Sequence, residues 1–345
     1  MTIPPIHDPR LVAVKHWLNA LPDHYGLNID SLRAASTDAS FRRYFRLDAT
    51  GSEQSAYVVM DAPPPLEDCR PFVRIAELFT AAQVNAPHIY EADLQQGFLL
   101  LQDFGNRVYL GELDDQTAPQ LYGDAMRSLI RLQTASLPGV LPMYDEALLQ
   151  RELMLYPDWY LARHKDIKLS TADQKTLHDA FAILLKNTLA QPSVFVHRDF
   201  HSRNLMILGA PENPGVLDFQ DAVFGPITYD LVSLLRDAYI RWEEPQVLDW
   251  CIRYWEQARS AKLPVNREFG EFYRDFEWMG LQRHLKVLGI FARLCYRDGK
   301  DRYLNDLPLV LDYVRKAAAR YREFNRLSEL IDRIEGGDRV TGLTF

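Results

Sequence analysis

At 345 residues the chain has room for one large or two medium domains, and 47% hydrophobic with 25% charged residues is an ordinary composition for a globular protein. A net charge of −8 with no basic block argues against a polyanionic partner, so no nucleic acid is expected. Cys69, Cys251 and Cys295 are scattered, which excludes a disulfide framework and thiolate metal spacing. No apolar run reaches membrane-spanning length and the first residues lack a signal-peptide pattern, so a cytoplasmic protein with reduced thiols and no membrane partner is expected.

Residues 8–21 place Leu11, Val14, Leu18 and Leu21 on one helical face. Strands follow at 42–47 and 56–60, and Pro63, Pro64 and Pro65 stop the second. A helix over 71–83 opens on Pro71 and carries Phe72, Ile75, Ala76 and Phe79 at helical spacing. Two more strands are predicted around Ile89 and over 98–101. Beyond Gly105 helical patterns dominate, at 117–135, 146–163, 172–190, 228–240, 245–260, 267–296 and 308–334. The expected class is α+β: a β-rich lobe over 1–101, a connector over 102–106 and a helical lobe over 107–345.

One strand-like opening interrupts the helical half. Val194, Phe195 and Val196 lead into His197-Arg198-Asp199, Asn204 follows five residues later, and Gly215-Val216-Leu217 ends in Asp218-Phe219-Gln220. Phosphoryl transfer needs this residue set: a carboxylate to take a hydroxyl proton, and a carboxylate with an amide to hold magnesium against phosphates. Asp199 is the candidate base, Asn204 and Asp218 the candidate Mg²⁺ ligands. His197 reads as a packed core residue.

The pattern H-R-D-x-x-x-x-N followed by an apolar-D-F triplet resembles the catalytic core of the protein-kinase-like superfamily. The resemblance implies a bilobal fold with ATP as co-substrate, Mg²⁺ as cofactor and Asp199, Asn204 and Asp218 in those three roles. A second D-F-G string, Asp103-Phe104-Gly105, precedes the catalytic loop and sits where the fifth strand of the first lobe ends. It reads as the hinge, with the backbone of Gln102, Asp103 and Phe104 expected to bond adenine. The place of the kinase Gly-rich loop falls on residues 36–43; this tip, with Ser40 and Arg43, reads either as a phosphate cradle or as a plain hairpin.

The strand lysine of such kinases is missing, for its place holds Met60. Arg43, His201 and Arg203 are the available cations, and Arg203 is expected to touch the transferring phosphoryl group because its fork matches phosphate oxygens. Glu77 then reads as a solvated carboxylate.

After Asp218 the chain enters a helix near Tyr229 without a long activation segment. That resembles the aminoglycoside-phosphotransferase-like kinases of small molecules. Further strings narrow the resemblance: residues 38–47, 59–64, 196–206, 218–222 and 280–294 look like the anomeric kinases of bacterial cell-wall recycling. That likeness implies a sugar substrate, N-acetylmuramate or N-acetylglucosamine, phosphorylated at C1 by a monomer. Alternatives are a kinase for another alcohol, such as an aminoglycoside or amino alcohol, and an ATP-binding pseudokinase with a regulatory role.

On the substrate side, His201 lies beside the base, and Asp221 either faces sugar hydroxyls or is a surface carboxylate. Trp159 either stacks a pyranose or packs in the core. Arg283, Lys286 and Arg293 share one side of a helix, to receive an acidic substituent or to meet water. Asp230 is expected to cap its helix or tie the catalytic loop.

Overall fold

The computed structural model describes residues 8–37, 41–52 and 54–336. The chain forms two compact units: residues through Arg107 together with Met206–Gln220, and Val108–Leu205 together with the chain from Asp221 onward. The class is α+β, as the element pattern predicts.

The first unit holds an antiparallel sheet of five strands, β1 (Arg33–Thr37), β2 (Arg43–Asp48), β3 (Ala56–Asp61), β4 (Ile89–Asp93) and β5 (Phe98–Gln102), in the order β1-β2-β3-β5-β4. Alternation sends Leu47, Tyr57, Val59, Phe98 and Leu100 to one face. There they bury Val14 and Leu18 of helix α1 (Pro9–Asn19). Asp8 caps α1, its carboxylate accepting the amides of Arg10 and Leu11 at 3.0 and 3.2 Å. Tyr57 stands edge-on to Tyr25 and Tyr90, with centroids 5.8 and 5.1 Å away. Helix α2 (Arg70–Ala81) buries Phe72, Ile75, Ala76 and Phe79 on one stripe and leaves Glu77 exposed, as the spacing predicts.

The later segment Met206–Gln220 belongs to this unit. Phe219 meets Phe72 and Phe79 with ring centroids 4.7 and 5.4 Å apart. The Ile207 amide donates to the Arg107 carbonyl at 2.8 Å, and Val216 to Asn85 at 2.7 Å. Gly215 lies against the Phe104 ring so closely that a Cβ there would sit 2.6 Å from Cδ2.

In the second unit helices α3 (Ala118–Thr134), α4 (Glu146–Leu153), α5 (Thr171–Ala190), α6 (Tyr229–Leu235), α7 (Glu244–Ser260), α8 (Phe269–Tyr296), α9 (Leu307–Arg320) and α10 (Asn325–Glu335) surround one antiparallel pair, strand β6 (Ser193–Val196) against Val223–Pro226. Helix α8, 28 residues and about 42 Å long, is buried on nearly every side from Phe276 to Leu294, which makes it the axis of the unit. Its neighbour Tyr156–His164 is a π-helix, a wider coil than the α-helix predicted across 146–163. Gly289 lets the two approach: a Cβ on it would lie 2.3 Å from the Leu155 carbonyl.

Two further boundaries differ from expectation. The helix predicted over 308–334 breaks at extended Tyr321, φ −113° and ψ 125°. The chain after Asp221 does not run straight into a helix, because Val223–Pro226 first pairs with β6, and α6 is only seven residues long. Among the described residues no helix is long and apolar enough to cross a membrane.

Candidate active site

Strand β6 is apolar and buried, and it delivers His197, Arg198 and Asp199 at its end. The turn is strained, since Arg198 sits at φ +79°, a region costly for a side-chain-bearing residue. Asp230, buried in the first turn of α6, holds it: one carboxylate oxygen accepts the His197 amide at 2.6 Å and the other the Arg198 amide at 3.0 Å. Burial pushes the Asp230 pKa up to about 7, against those two donors and Arg283, which favour the ionised form. This is the loop tie expected of Asp230. The far end of the loop has a second buried anchor. Asp237 accepts the Ser202 amide at 2.9 Å and the Tyr239 amide at 3.0 Å.

Between these anchors the Asp199 side chain stays 43% exposed. Burial of its surroundings would raise its pKa, but Arg283, Lys286, His201 and Arg198 outweigh that and bring it down to about 2. Solvent at that exposure weakens the depression without reversing its sign. The Asn204 amide nitrogen donates to the Asp199 carbonyl at 3.0 Å, which fixes the amide plane. An accessible carboxylate held ionised by cations, with an oriented amide five residues on, can accept a proton and offer hard oxygen ligands.

Residues 31–263 match the model of the phosphotransferase enzyme family. The chain belongs to this family. Relatives span almost all of it: one from Pseudomonas aeruginosa is 50% identical over 95% of this chain and 94% of its own length, and one from Pseudomonas putida is 46% identical over 97% and 100%. Both carry the name N-acetylmuramate/N-acetylglucosamine kinase. Among solved structures, the ethanolamine kinase of Plasmodium vivax shares the fold with a TM-score of 0.62 over 91% of this chain and 92% of that one, at 10% identity.

Behind the loop of this phosphotransferase lies a buried charge cluster that sequence reading only half found. Arg283 donates to the Arg198 carbonyl at 2.8 Å and to the Tyr229 hydroxyl at 3.1 Å, and its guanidinium is 3.7 Å from the Asp199 carboxylate. Lys286 donates to Tyr229 at 2.9 Å and pairs with Glu152 at 3.0 Å. Glu152 also takes Arg198 at 2.5 Å and the Tyr144 hydroxyl. Burial raises the Glu152 pKa but Lys286 and Arg198 overcome it, so the carboxylate stays charged. The basic stripe is therefore turned inward at Arg283 and Lys286, which are 6% and 5% exposed, rather than toward water or an open pocket. Glu152, Tyr144, Tyr229 and Asp237 carry no sequence signal, because isolated acids and tyrosines on helices usually meet solvent or core.

The other predicted residues fall as follows. His201 is half-buried, edge-on to Tyr239 at 5.3 Å, and its Nδ1 is buried without a partner; burial lowers its pKa, so the ring is neutral near pH 7. Arg203 is exposed, its guanidinium 4.0 Å from the Tyr239 ring centroid. Asp221 is exposed and its carbonyl accepts from Arg198 at 3.4 Å. Trp159 is half-buried on the π-helix.

In the first unit Asp218 takes φ +63°, and Gln220, where such triplets often have Gly, donates to its carboxylate at 2.9 Å. Arg43 opens β2 rather than a loop tip. Its guanidinium bonds Asp61 at 3.0 and 2.5 Å and pairs with Asp8, so the expected phosphate cation is already engaged by two carboxylates. Ser40 lies outside the described residues. Asp103 pairs with Arg46 at 2.6 Å and caps Gly105 at 2.8 Å. The Gln102 amide is taken by the His88 carbonyl at 2.8 Å, and the Phe104 ring covers Gly215. Buried Met60 sits in the β3 ladder between Tyr44 and Leu99, and the adjacent ion pairs of Asp61 run to Arg10 and Arg43.

Proposed function

We propose that this phosphotransferase moves the γ-phosphoryl group of ATP to the C1 hydroxyl of N-acetylmuramate and N-acetylglucosamine. The observation that carries the reading is the 46–50% identity, over nearly the full length, to relatives named for those two sugars. The exposed, ionised Asp199 beside a fixed Asn204 supplies the chemistry.

Asp199 accepts the proton of the attacking hydroxyl. An anomeric hydroxyl is more acidic than an ordinary alcohol, so a weakly basic carboxylate suffices in a loose transition state. Asp230 and Asp237 hold the loop that presents it, and Arg283 keeps it charged. Arg203 balances phosphoryl charge from the exposed side of the loop. Asn204 and Asp218 would hold Mg²⁺. The donors fit that ion, since the Asn204 amide and the Asp218 carboxylate both offer hard oxygen. Magnesium takes one or two protein ligands and completes its shell with water and phosphates. When bound it offsets charge on the β- and γ-phosphates. His201, Asp221 and Trp159 are the proposed sugar contacts, the backbone of Asp103 and Phe104 is the proposed adenine contact, and Ser40 is the proposed outer phosphate contact, since Arg43 is held by Asp61 and Asp8 and the Gln102 amide by His88.

The test is a panel of sugars with Mg-ATP, read by ³¹P NMR of the product. Both free sugars are expected to give an anomeric phosphate, and a methyl glycoside blocked at C1 none. Asp199→Asn is expected to lose at least about a thousandfold in kcat while keeping nucleotide affinity. Turnover of the blocked glycoside, or near-normal rates from D199N, would overturn the assignment.

A further inference from the structure

Resting on the sugar-kinase reading, we propose that Arg293 is the receptor for the acidic arm of the acceptor sugar, binding the lactyl carboxylate of N-acetylmuramate and standing idle when N-acetylglucosamine is bound. Of the basic stripe on α8, Arg283 and Lys286 are bonded to the loop, Tyr229 and Glu152. Arg293 differs. It is half-buried, no hydrogen bond or ion pair engages its side chain among the described residues, and its Nε is buried without a partner. Burial and the neighbouring Arg297 disfavour its charge, while Asp298 and Glu152 offset this only partly, and Asp298 is itself bonded by Arg297 at 2.7 Å. A desolvated, unpaired guanidinium gains more from a carboxylate than a solvated one, and its planar fork takes both oxygens.

Placement agrees with chemistry. Lys286 meets Glu152, Gly289 packs on Leu155, and Tyr296 reaches His164 at 3.1 Å. These contacts bracket Arg293, which lies level with the middle of the π-helix, where half-buried Trp159 sits. From Lys286 to Arg293 is seven residues, two turns on one face and about 10 Å along the axis. Long helical side chains lean toward the helix N-terminus, so the guanidinium reaches back toward Lys286 and the Asp199 end of the stripe. Arg283, 3.7 Å from the base, lies ten residues and about 15 Å along the axis from Arg293, so the sugar, its acid arm and the hydrogen bonds at either end together bridge that gap.

The experiment compares kcat/KM for N-acetylmuramate and N-acetylglucosamine in wild type, Arg293→Gln and Arg293→Lys, with melting temperatures measured alongside. R293Q is expected to lose tenfold to a hundredfold on N-acetylmuramate, mostly through KM, the range for removing a charge-assisted hydrogen bond. On N-acetylglucosamine it stays within about twofold, and R293K recovers part of the loss because charge without the fork is a weaker match. Equal losses on both sugars, or no loss on either, would overturn the proposal while leaving the sugar-kinase reading intact. Wild type inactive on both sugars would overturn the two together. If R293Q folds poorly, the selectivity of R293K, which keeps charge and approximate volume, decides the same question.

Discussion

Arg198 at φ +79° costs on the order of 1–3 kcal/mol of backbone strain, and Asp230 offsets it by accepting hydrogen bonds from two backbone amides on one buried carboxylate. The strain has a use, because it turns Asp199 outward while its neighbour's side chain goes inward to Glu152. Arg283 reaches this turn from behind through the Arg198 carbonyl and lies 3.7 Å from the base. A pH consequence follows. Asp199 must be ionised to accept a proton, and Arg283 is the foremost of the cations that lower its pKa. Removing that charge raises the pKa of the base. For Arg283→Gln, the acid limb of the kcat/KM profile is therefore expected to move to higher pH, with the neutral plateau the part least affected. An unshifted acid limb in folded R283Q would show that the cation does not tune the base. Sequence alone suggested, from the place of Asp230 at a helix start, the tie to the loop that His197 and Arg198 make with it, while Asp199, Asn204 and Asp218 were proposed from their spacing after strands. It placed Arg283 and Lys286 on one stripe but not inward, since the partner that turns them, Glu152, lies on another helix with nothing local to mark it.

Helix α8 and the π-helix depend on one missing side chain. A Cβ on Gly289 would meet the Leu155 carbonyl carbon and oxygen at 2.3 Å, and backbone atoms cannot swing aside as a side chain tip does. Gly289→Ala is expected to destabilise by about 1–3 kcal/mol through overpacking, seen as a lower urea midpoint with unchanged m. It should also cut kcat, because Leu155 is three residues from Glu152 and Gly289 three from Lys286. Gly270, on the first turn of the same helix, has open space at its Cβ position, so Gly270→Ala is expected to be neutral or stabilising by up to about 1 kcal/mol. The opposite signs separate close approach from helix propensity. Hydrophobic periodicity foretold α1, α2, α3, α5 and α8 within a few residues. It missed the π-helix, whose widened turn keeps a similar apolar spacing. It also missed Val223–Pro226, where Gly225 and Pro226 mimic a loop although all four residues are buried in pairing with β6.

At the scale of the molecule, the α+β class was legible because the apolar period changes from two to 3.6 near residue 105. Membership of Met206–Gln220 in the first unit was not, because it is encoded by contacts across long sequence separation: Phe219 on Phe72 and Phe79, Val216 on Asn85. A fragment ending at Arg107 should consequently expose the inner stripe of α2. It is expected to bind a hydrophobic dye and to unfold over a broad urea range. Appending residues 206–220 through a flexible linker should sharpen the transition and reduce dye binding; equal behaviour of the two fragments would show that the segment adds nothing to the fold.

The same excursion sets a clock on the ribosome. All of Val108–Leu205 is synthesised between the first part of this unit and its last, roughly 5–20 s at about 5–20 residues per second. Through that interval Phe72 and Phe79 have no Phe219 to cover them, so the nascent chain offers two aromatic rings to chaperones, or to neighbouring nascent chains, before its own missing piece has emerged.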